Sequence, residues 1–422
     1  MNKGVIFNAL SYIYILLILI LAYLIATFKD YNPAFLISLI VMMAIGAFLS
    51  KKMPKGALLI SRLLIGLLFI YSGFVKGVDP LGTQFRIEDY FYAFGTLWAL
   101  PFALTLSVLL NAFEFSMGLF LLFNLRTKLV SWLVFLMMIF FTITTLNDAL
   151  YSPVPDCGCF GDALIISNWQ TFYKNLVIFA LVLILFLRKN SFKSELKLST
   201  QFLMMIGLFL LFTAFEIYTI RHLPILDFRP WKVGTRLLPE NPQPAKFYFV
   251  YKNEQTGEQK EFLSSELPWQ DTVFMSQWSY ESSREVNPDA DLYKTFPMLD
   301  LDGNDLSVEL AKSEQPVFLM VVYDIMDADA DALKKFLPIY NLCQQNGWTF
   351  YMLNSDTPDD LRKRVEENGL NDFPVLNSDD TSLKAAIRAN PGLIIIRDGI
   401  VLSKFNHRDI PVIEELNSLA TE

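Results

Sequence analysis

Histidine and cysteine are nearly absent from this chain: 2 and 3 respectively among 422 residues. Cys-x-x-Cys-His does not occur, so nothing points to attached haem. A structural zinc site wants four ligands, and His222 and His407 are isolated from each other and from the cysteines, so both read as structural. Basic charge is also short. Lys and Arg total 35 against 43 Asp and Glu, a net charge of −8, with no basic cluster of the kind that nucleic acid requires. The acidic excess comes mostly from the second half, for example Asp324, Asp327, Asp329 and Asp331.

Apolar residues are plentiful, at 53%, and unevenly placed. Residues 1–220 hold almost all the long apolar runs, whereas 221–422 read as ordinary globular sequence. A chain of this length exceeds what one core usually organises, so two or more domains are expected. Seven stretches, near 5–27, 33–50, 57–75, 100–123, 129–147, 172–188 and 200–220, reach the roughly 20 apolar residues needed to span a bilayer. The first is too long for a signal peptide and runs into Phe28-Lys29-Asp30, so it is expected to remain as a membrane helix. One set of loops carries Lys3, Lys51, Lys52, Lys55, Arg126, Lys128, Arg188, Lys189, Lys193 and Lys197; the other carries Lys29, Lys76, Arg86 and Lys174. That bias predicts a cytoplasmic N-terminus and, after seven crossings, an extracytoplasmic tail.

Two of the cysteines lie in Asp156-Cys157-Gly158-Cys159-Phe160-Gly161-Asp162, a loop between two apolar segments. The orientation places this loop and the tail in the same compartment, one that permits disulfides. The glycine frees the backbone to bring the sulfurs together. A disulfide needs Cα atoms within about 4.4–6.8 Å, which a bent three-residue unit reaches. Its small ring would be strained and prone to exchange. Asp156 and Asp162 are expected to raise the thiol pKa values and so to oppose a reactive thiolate. Redox exchange, a static loop staple and metal binding all stay open on these residues. Cys343, alone on a predicted helix, reads as a small buried hydrophobe.

The third apolar segment reads Arg62-Leu63-Leu64-Ile65-Gly66-Leu67-Leu68-Phe69-Ile70-Tyr71-Ser72-Gly73-Phe74-Val75-Lys76. A polar loop with Glu88, Asp89 and Tyr90 follows, then a segment holding Asn111 and Glu114. The run resembles the opening helix of the DoxX family, and Cys157-Gly158-Cys159-Phe160-Gly161 is similar to the motif of its MauE-like, redox-associated branch. The resemblance covers about 57–190 and implies a four-helix membrane bundle. Two helices precede it in 1–56, and a seventh occupies 191–220. Arg62 and Glu114 are charges inside apolar segments. An unpaired charge there costs ~2.5–3.5 kcal/mol or more, so an Arg62–Glu114 ion pair is expected. A proton or substrate path is the other reading of these two. Asn147 and Asp148 would cap the fifth span.

Residues 221–295 read as a linker and a small β-rich section, with strands at Lys246–Tyr251 and Lys260–Leu263. A strand and hairpin are expected at Phe296–Gly303, a buried strand at Pro316–Tyr323, and one helix over Ala328–Gln345. A strand at Trp348–Leu353, helices at Pro358–Asn368 and Leu383–Arg388, a hairpin from Pro391 to Phe405, and a terminal helix complete the tail. The order in 296–422 resembles a thioredoxin-like α/β domain of the TlpA type. Pro391 matches that family's cis-proline position. The family's Cys-x-x-Cys is missing, because the chain reads Tyr323-Asp324-Ile325-Met326-Asp327-Ala328-Asp329 there. Its dithiol chemistry is therefore lost, while a peptide-binding surface around the proline would survive.

The resulting expectation is a multi-pass α-helical protein of the bacterial inner membrane, with a periplasmic thioredoxin-like domain. Cys157 and Cys159 would exchange between dithiol and disulfide, and the tail would bind an extracytoplasmic protein partner. The alternative is a non-enzymatic membrane scaffold or complex subunit with a structural cysteine loop. A transporter is a weaker third reading, since there is no internal repeat. No cofactor is evident; a quinone fits a membrane redox role, but no residues that would bind one can be read. Membrane lipid is the other partner, and no metal is expected.

Overall fold

Runs of about 20 apolar residues leave the backbone one solution in a bilayer, the helix, because each N–H and C=O must be paired within its own segment. The computed structural model describes residues 3–155, 157–240, 246–268, 272–286 and 293–421. The chain divides into the units Met1–Phe228 and Arg229–Glu422.

The first unit is helical: α1 Lys3–Leu24, α2 Pro33–Ser50, α3 Lys55–Val78, α4 Pro80–Ala93, α5 Ala103–Leu122, α6 Thr127–Tyr151, α7 Asn168–Leu187 and α8 Leu198–Arg221. All but α4 belong to the seven described segments long and apolar enough to cross a membrane. The segment expected as a polar loop around Glu88, Asp89 and Tyr90 is instead the 14-residue helix α4. Asp79 caps it by accepting a hydrogen bond from the Gly82 N–H at 3.1 Å, and Pro80 supplies a preset φ in its first turn. The sixth span begins at Asn168, four residues before the apolar run, because Ser167 and Gln170 form a reciprocal capping box.

Small residues bring α3 and α5 together. A Cβ at Gly73 would stand 2.6 Å from Phe115 N, and one at Gly118 would stand 2.6 Å from Gly66 O, so only glycine permits this approach. The crossing fixes the register of the two helices. Asn111 Nδ2 donates to the Lys76 carbonyl at 3.3 Å, and Ser107 Oγ donates to the Pro80 carbonyl at 2.6 Å. Lys76 is thereby level with Glu114, whereas Arg62 lies several helical turns back along α3, towards its other end.

The second unit holds two sheets. β1 Lys246–Asn253 is flanked by β2 Gln259–Leu263 and β3 Trp278–Val286 in an antiparallel three-stranded sheet, with the short helix α9 Thr272–Gln277 before β3. The larger sheet comprises β4 Val317–Val322, β5 Thr349–Asn354, β6 Val375–Asn377, β7 Gly392–Arg397 and β8 Ile400–Asn406, in the order β6-β5-β4-β7-β8. β4, β5 and β6 are parallel, and β7 and β8 are antiparallel additions on the other side. Every side chain of β4 is buried, as a central strand covered on both faces requires. The helices are α10 Ser307–Lys312, α11 Ala330–Lys334, α12 Leu337–Asn346, α13 Pro358–Asn368, α14 Asp380–Ala386 and α15 Ile413–Thr421.

Three details differ from the sequence expectation. The helix expected over Ala328–Gln345 is two, because Pro338, with no N–H to donate, opens α12. The strand and hairpin expected at Phe296–Gly303 reduce to one antiparallel bridge, Leu299 to Asp305, closed by a turn in which Asp300 Oδ1 accepts from the Asp302 and Asn304 N–H groups at 2.9 and 2.8 Å. The expected linker contributes to the sheet: residue 236 bridges Ile400, with the Val401 N–H donating to the Thr235 carbonyl at 3.0 Å. On the far side, Leu299 and Asn377 exchange two backbone hydrogen bonds of 2.8 Å.

Candidate functional site

The loop between α6 and α7 is shaped by its backbone. Ser152 turns the chain out of α6 with a left-handed φ of 47°, and Gly158 sits at φ +62°. A Cβ at Gly158 would also meet Arg86 Cγ at 2.9 Å, so both conformation and space require glycine between the cysteines. Ser72 Oγ on α3 donates to the Cys159 carbonyl at 2.8 Å and ties the loop to the bundle. Asp156 lies outside the described residues.

Cys157 and Cys159 are both half-buried and are not joined in a disulfide; their Sγ atoms are 2.6 Å apart. The hydrogen bond from Cys157 pulls the Cys159 thiol well below the ordinary thiol range. Burial opposes this, and the ammonium charges of Lys174 and Lys76 reinforce it. Cys157 moves well above the ordinary thiol range, because it donates that bond, is desolvated and faces the Cys159 charge. The expected rise of both thiols thus holds for Cys157 but not for Cys159, where the Cys157 hydrogen bond and then the two lysines act the other way. Lys174 stands 4.5 Å from the centre of the Phe160 ring, beside the pair.

Below the loop the bundle carries a second charged element, and it is not the one expected. Glu114 Oε2 accepts from Lys76 Nζ, with both side chains buried. Arg62 is buried elsewhere: its guanidinium carbon lies 5.5 Å from the Phe192 ring centre, and its Nε finds no hydrogen-bond partner among the described residues. The α3–α5 register separates Arg62 from Glu114, so the expected ion pair is replaced by Lys76–Glu114. Lys76, read from sequence as a loop residue, faces the interior because Gly73 and Gly77 thin α3 just before its end.

Asp148 does not cap α6. It is buried and accepts from Tyr90 Oη on α4 at 2.6 Å. Burial, then that hydrogen bond, hold the Tyr90 phenol protonated well above its usual range. Sequence reasoning missed Lys76, Tyr90 and Lys174 as members of the site. The short Pro80–Ala93 helix, which lacks a span's apolar run, was the signal available for Tyr90.

These groups surround a cavity of about 730 Å³ bounded by α3, α4, α5, α6, α7 and the cysteine loop. Its polar end holds Cys157, Cys159, Lys76, Glu114, Tyr90 and Lys174, and the remaining wall is largely aliphatic and aromatic. Among the described residues, no three His, Cys, Asp or Glu side chains gather as metal ligands.

In the second unit the Asn390–Pro391 peptide bond is cis, and Pro391 directly precedes β7. His407 is buried and its Nδ1 is 3.1 Å from the Pro391 carbonyl, which it donates to; burial holds its pKa below the usual value. Asp324 follows β4, and its Oδ1 accepts from the Met326 and Asp327 N–H groups at 3.0 and 2.9 Å. Asn390 Nδ2 donates to the Asp324 carbonyl at 2.6 Å, which joins this turn to the proline. Cys343 is fully buried on α12, and burial pushes its thiol up to about 12.

The fold and site together define a multi-pass membrane protein carrying a thioredoxin-like α/β unit without that fold's dithiol. Residues 54–188, the α3–α7 portion with its cysteine loop, match the family model described as methylamine utilisation protein MauE. The DoxX likeness rests on the residues of α3 alone. Among solved structures, the chain is similar to the thioredoxin domain of a thiol-disulfide oxidoreductase from Bacteroides vulgatus. That match has 19% identity and a TM-score of 0.24, covering 30% of this chain and 90% of that one. It is also similar to an uncharacterized conserved protein from Geobacillus kaustophilus, at 21% identity and a TM-score of 0.24, covering 30% and 79%. No curated protein matches the chain. The thioredoxin-like assignment stands on the β6-β5-β4-β7-β8 order and its parallel and antiparallel pairings.

Proposed function

We propose that this protein is a redox component of a bacterial inner membrane, in which Cys157 and Cys159 exchange between dithiol and disulfide with an extracytoplasmic protein. The observation that carries this reading is the sulfur pair itself: 2.6 Å apart, half-buried, with Cys159 favoured as thiolate beside Lys174 and Lys76. A low-pKa thiolate next to a protonated thiol is the arrangement that starts and resolves a mixed disulfide. The thioredoxin-like unit has no dithiol to contribute, and its role is to hold the partner at the surface around cis-Pro391.

The loop charges support a cytoplasmic N-terminus and a periplasmic tail. With Lys76 moved into the bundle, ten Lys and Arg residues on one side face Lys29, Arg86 and Lys174 on the other. The competing scaffold reading draws on the Asp324 turn that stands where a dithiol would be. Alkylation trapping of Cys157 and Cys159 in intact cells, with and without a brief reductant pulse, separates the two. A mixed population that shifts and recovers supports exchange; a pair locked in one state throughout supports the scaffold.

A further inference from the structure

We infer that the cavity beneath the cysteine loop binds a lipid-soluble quinone, which accepts two electrons from Cys157 and Cys159. This rests on the exchange reading above and names the oxidant it requires.

Four observations converge on that occupant. The first is size: the cavity encloses about 730 Å³. That volume suits a small molecule of a ring and a short tail. The second is access. Leu106, Phe140 and Ile143 belong to the cavity wall, yet they are 42%, 63% and 65% exposed on the outer surface of the bundle. The cavity therefore reaches the surface that meets acyl chains, between α5 and α6, and its ligand arrives from the bilayer. The third is polarity: a charged soluble oxidant would lose its hydration against this largely apolar wall without matching partners. The fourth is what waits at the polar end. Both thiols line it, together with the Lys76 and Lys174 ammonium groups and the Tyr90 phenol. An acyl chain has nothing to react with there. A quinone ring has two carbonyl oxygens for the two ammonium groups, and its apolar tail suits the remaining wall.

The electron count closes. The Cys157 S–H bond breaks and a Cys157–Cys159 S–S bond forms. Two electrons pass to the quinone, and its two oxygens become O–H groups. One proton comes from Cys157; the other, already lost by the Cys159 thiolate, returns from solvent. Lys76 and Lys174 would offset the negative charge that builds on the ring oxygens before they are protonated. The extracytoplasmic partner then returns the disulfide to the dithiol by being oxidised itself.

The test uses the purified full-length protein, reduced, freed of reductant and mixed anaerobically with decylubiquinone or menadione. Diamide, a soluble thiol oxidant that needs no pocket, is run on the same protein. The expected result is loss of one quinone per protein, with one Cys157–Cys159 disulfide found by alkylation and mass analysis. Filling the cavity with Leu110→Trp should lower the ratio of quinone rate to diamide rate at least tenfold. Leu106→Trp serves as a second variant if the first does not fold. Disulfide formation with diamide but with neither quinone overturns the quinone proposal and leaves the exchange reading standing. Failure with diamide as well overturns both. An unchanged rate ratio in a folded cavity-filling variant removes the cavity from the reaction.

Discussion

The helical bundle has closely placed sulfurs without a thioredoxin fold around them, and the Arg229–Glu422 unit has that fold without the sulfurs. In the bundle, a left-handed glycine bends the loop, and the Cys157 hydrogen bond with two lysines from α3 and α7 lowers the Cys159 thiol. In the other unit, the turn after β4 is organised by the Asp324 carboxylate, which holds two backbone N–H groups. The scaffold beside that turn, with cis-Pro391 and buried His407, is intact. A thiol's chemistry is thus set by the groups within a few ångströms of it, while a fold's strand order outlasts the loss of its reactive group.

The largest effect should come from removing the sulfurs. Cys159→Ser is expected to abolish exchange entirely, and Cys157→Ser to leave trapped mixed disulfides, visible on non-reducing gels. Wild-type exchange in the double variant would end the comparison, because the bundle would then have no chemistry to contrast. Next comes the ion pair below the loop, where both partners are buried. Lys76→Met leaves Glu114 unpaired, at a cost of ~3–5 kcal/mol, and the further change Glu114→Leu should recover much of that. Thermal unfolding of the detergent-solubilised variants reads both values.

A smaller effect sharpens the electrostatic half of the comparison. Because the Cys157 hydrogen bond and the Lys174 and Lys76 charges hold Cys159 below the ordinary thiol range, its alkylation should persist to lower pH than that of an ordinary thiol before it falls. Lys174→Ala removes a nearby positive charge and should move the midpoint up by about one unit. The smallest effect is expected at Cys343, whose thiol is buried and protonated. Cys343→Ser should leave the redox state of the Cys157–Cys159 pair unchanged, and Cys343 should be alkylated only after denaturation.

The seven spans and most strands were legible because their signals are local: about 20 apolar residues for a bilayer, or a continuous buried run such as Val317–Val322. β6 escaped because three residues carry no periodicity, and α4 because its polar residues mask a helix set by Asp79 and Pro80. The partner of Glu114 was misread for a deeper reason. Hydropathy places a residue within its own span, but the relative height of two helices depends on where their glycines let them cross. Lys76 looked like a loop residue from α3 alone and becomes an interior one only once Gly73 and Gly118 have set the register. The low Cys159 pKa was equally hidden, since Lys76 and Lys174 are distant in sequence and adjacent only in space.

The strands at the two rims of the five-stranded sheet are both engaged by stretches that precede it in the chain: residues 234–237 along β8, and Leu299 against β6. Proteins confined to a membrane meet one another at far higher local concentrations than the same molecules in free solution. Unclaimed backbone donors and acceptors on a strand would invite neighbouring copies to stack into sheets. By occupying both rims from within its own chain, the unit keeps those backbone groups from pairing with a neighbouring copy under that crowding.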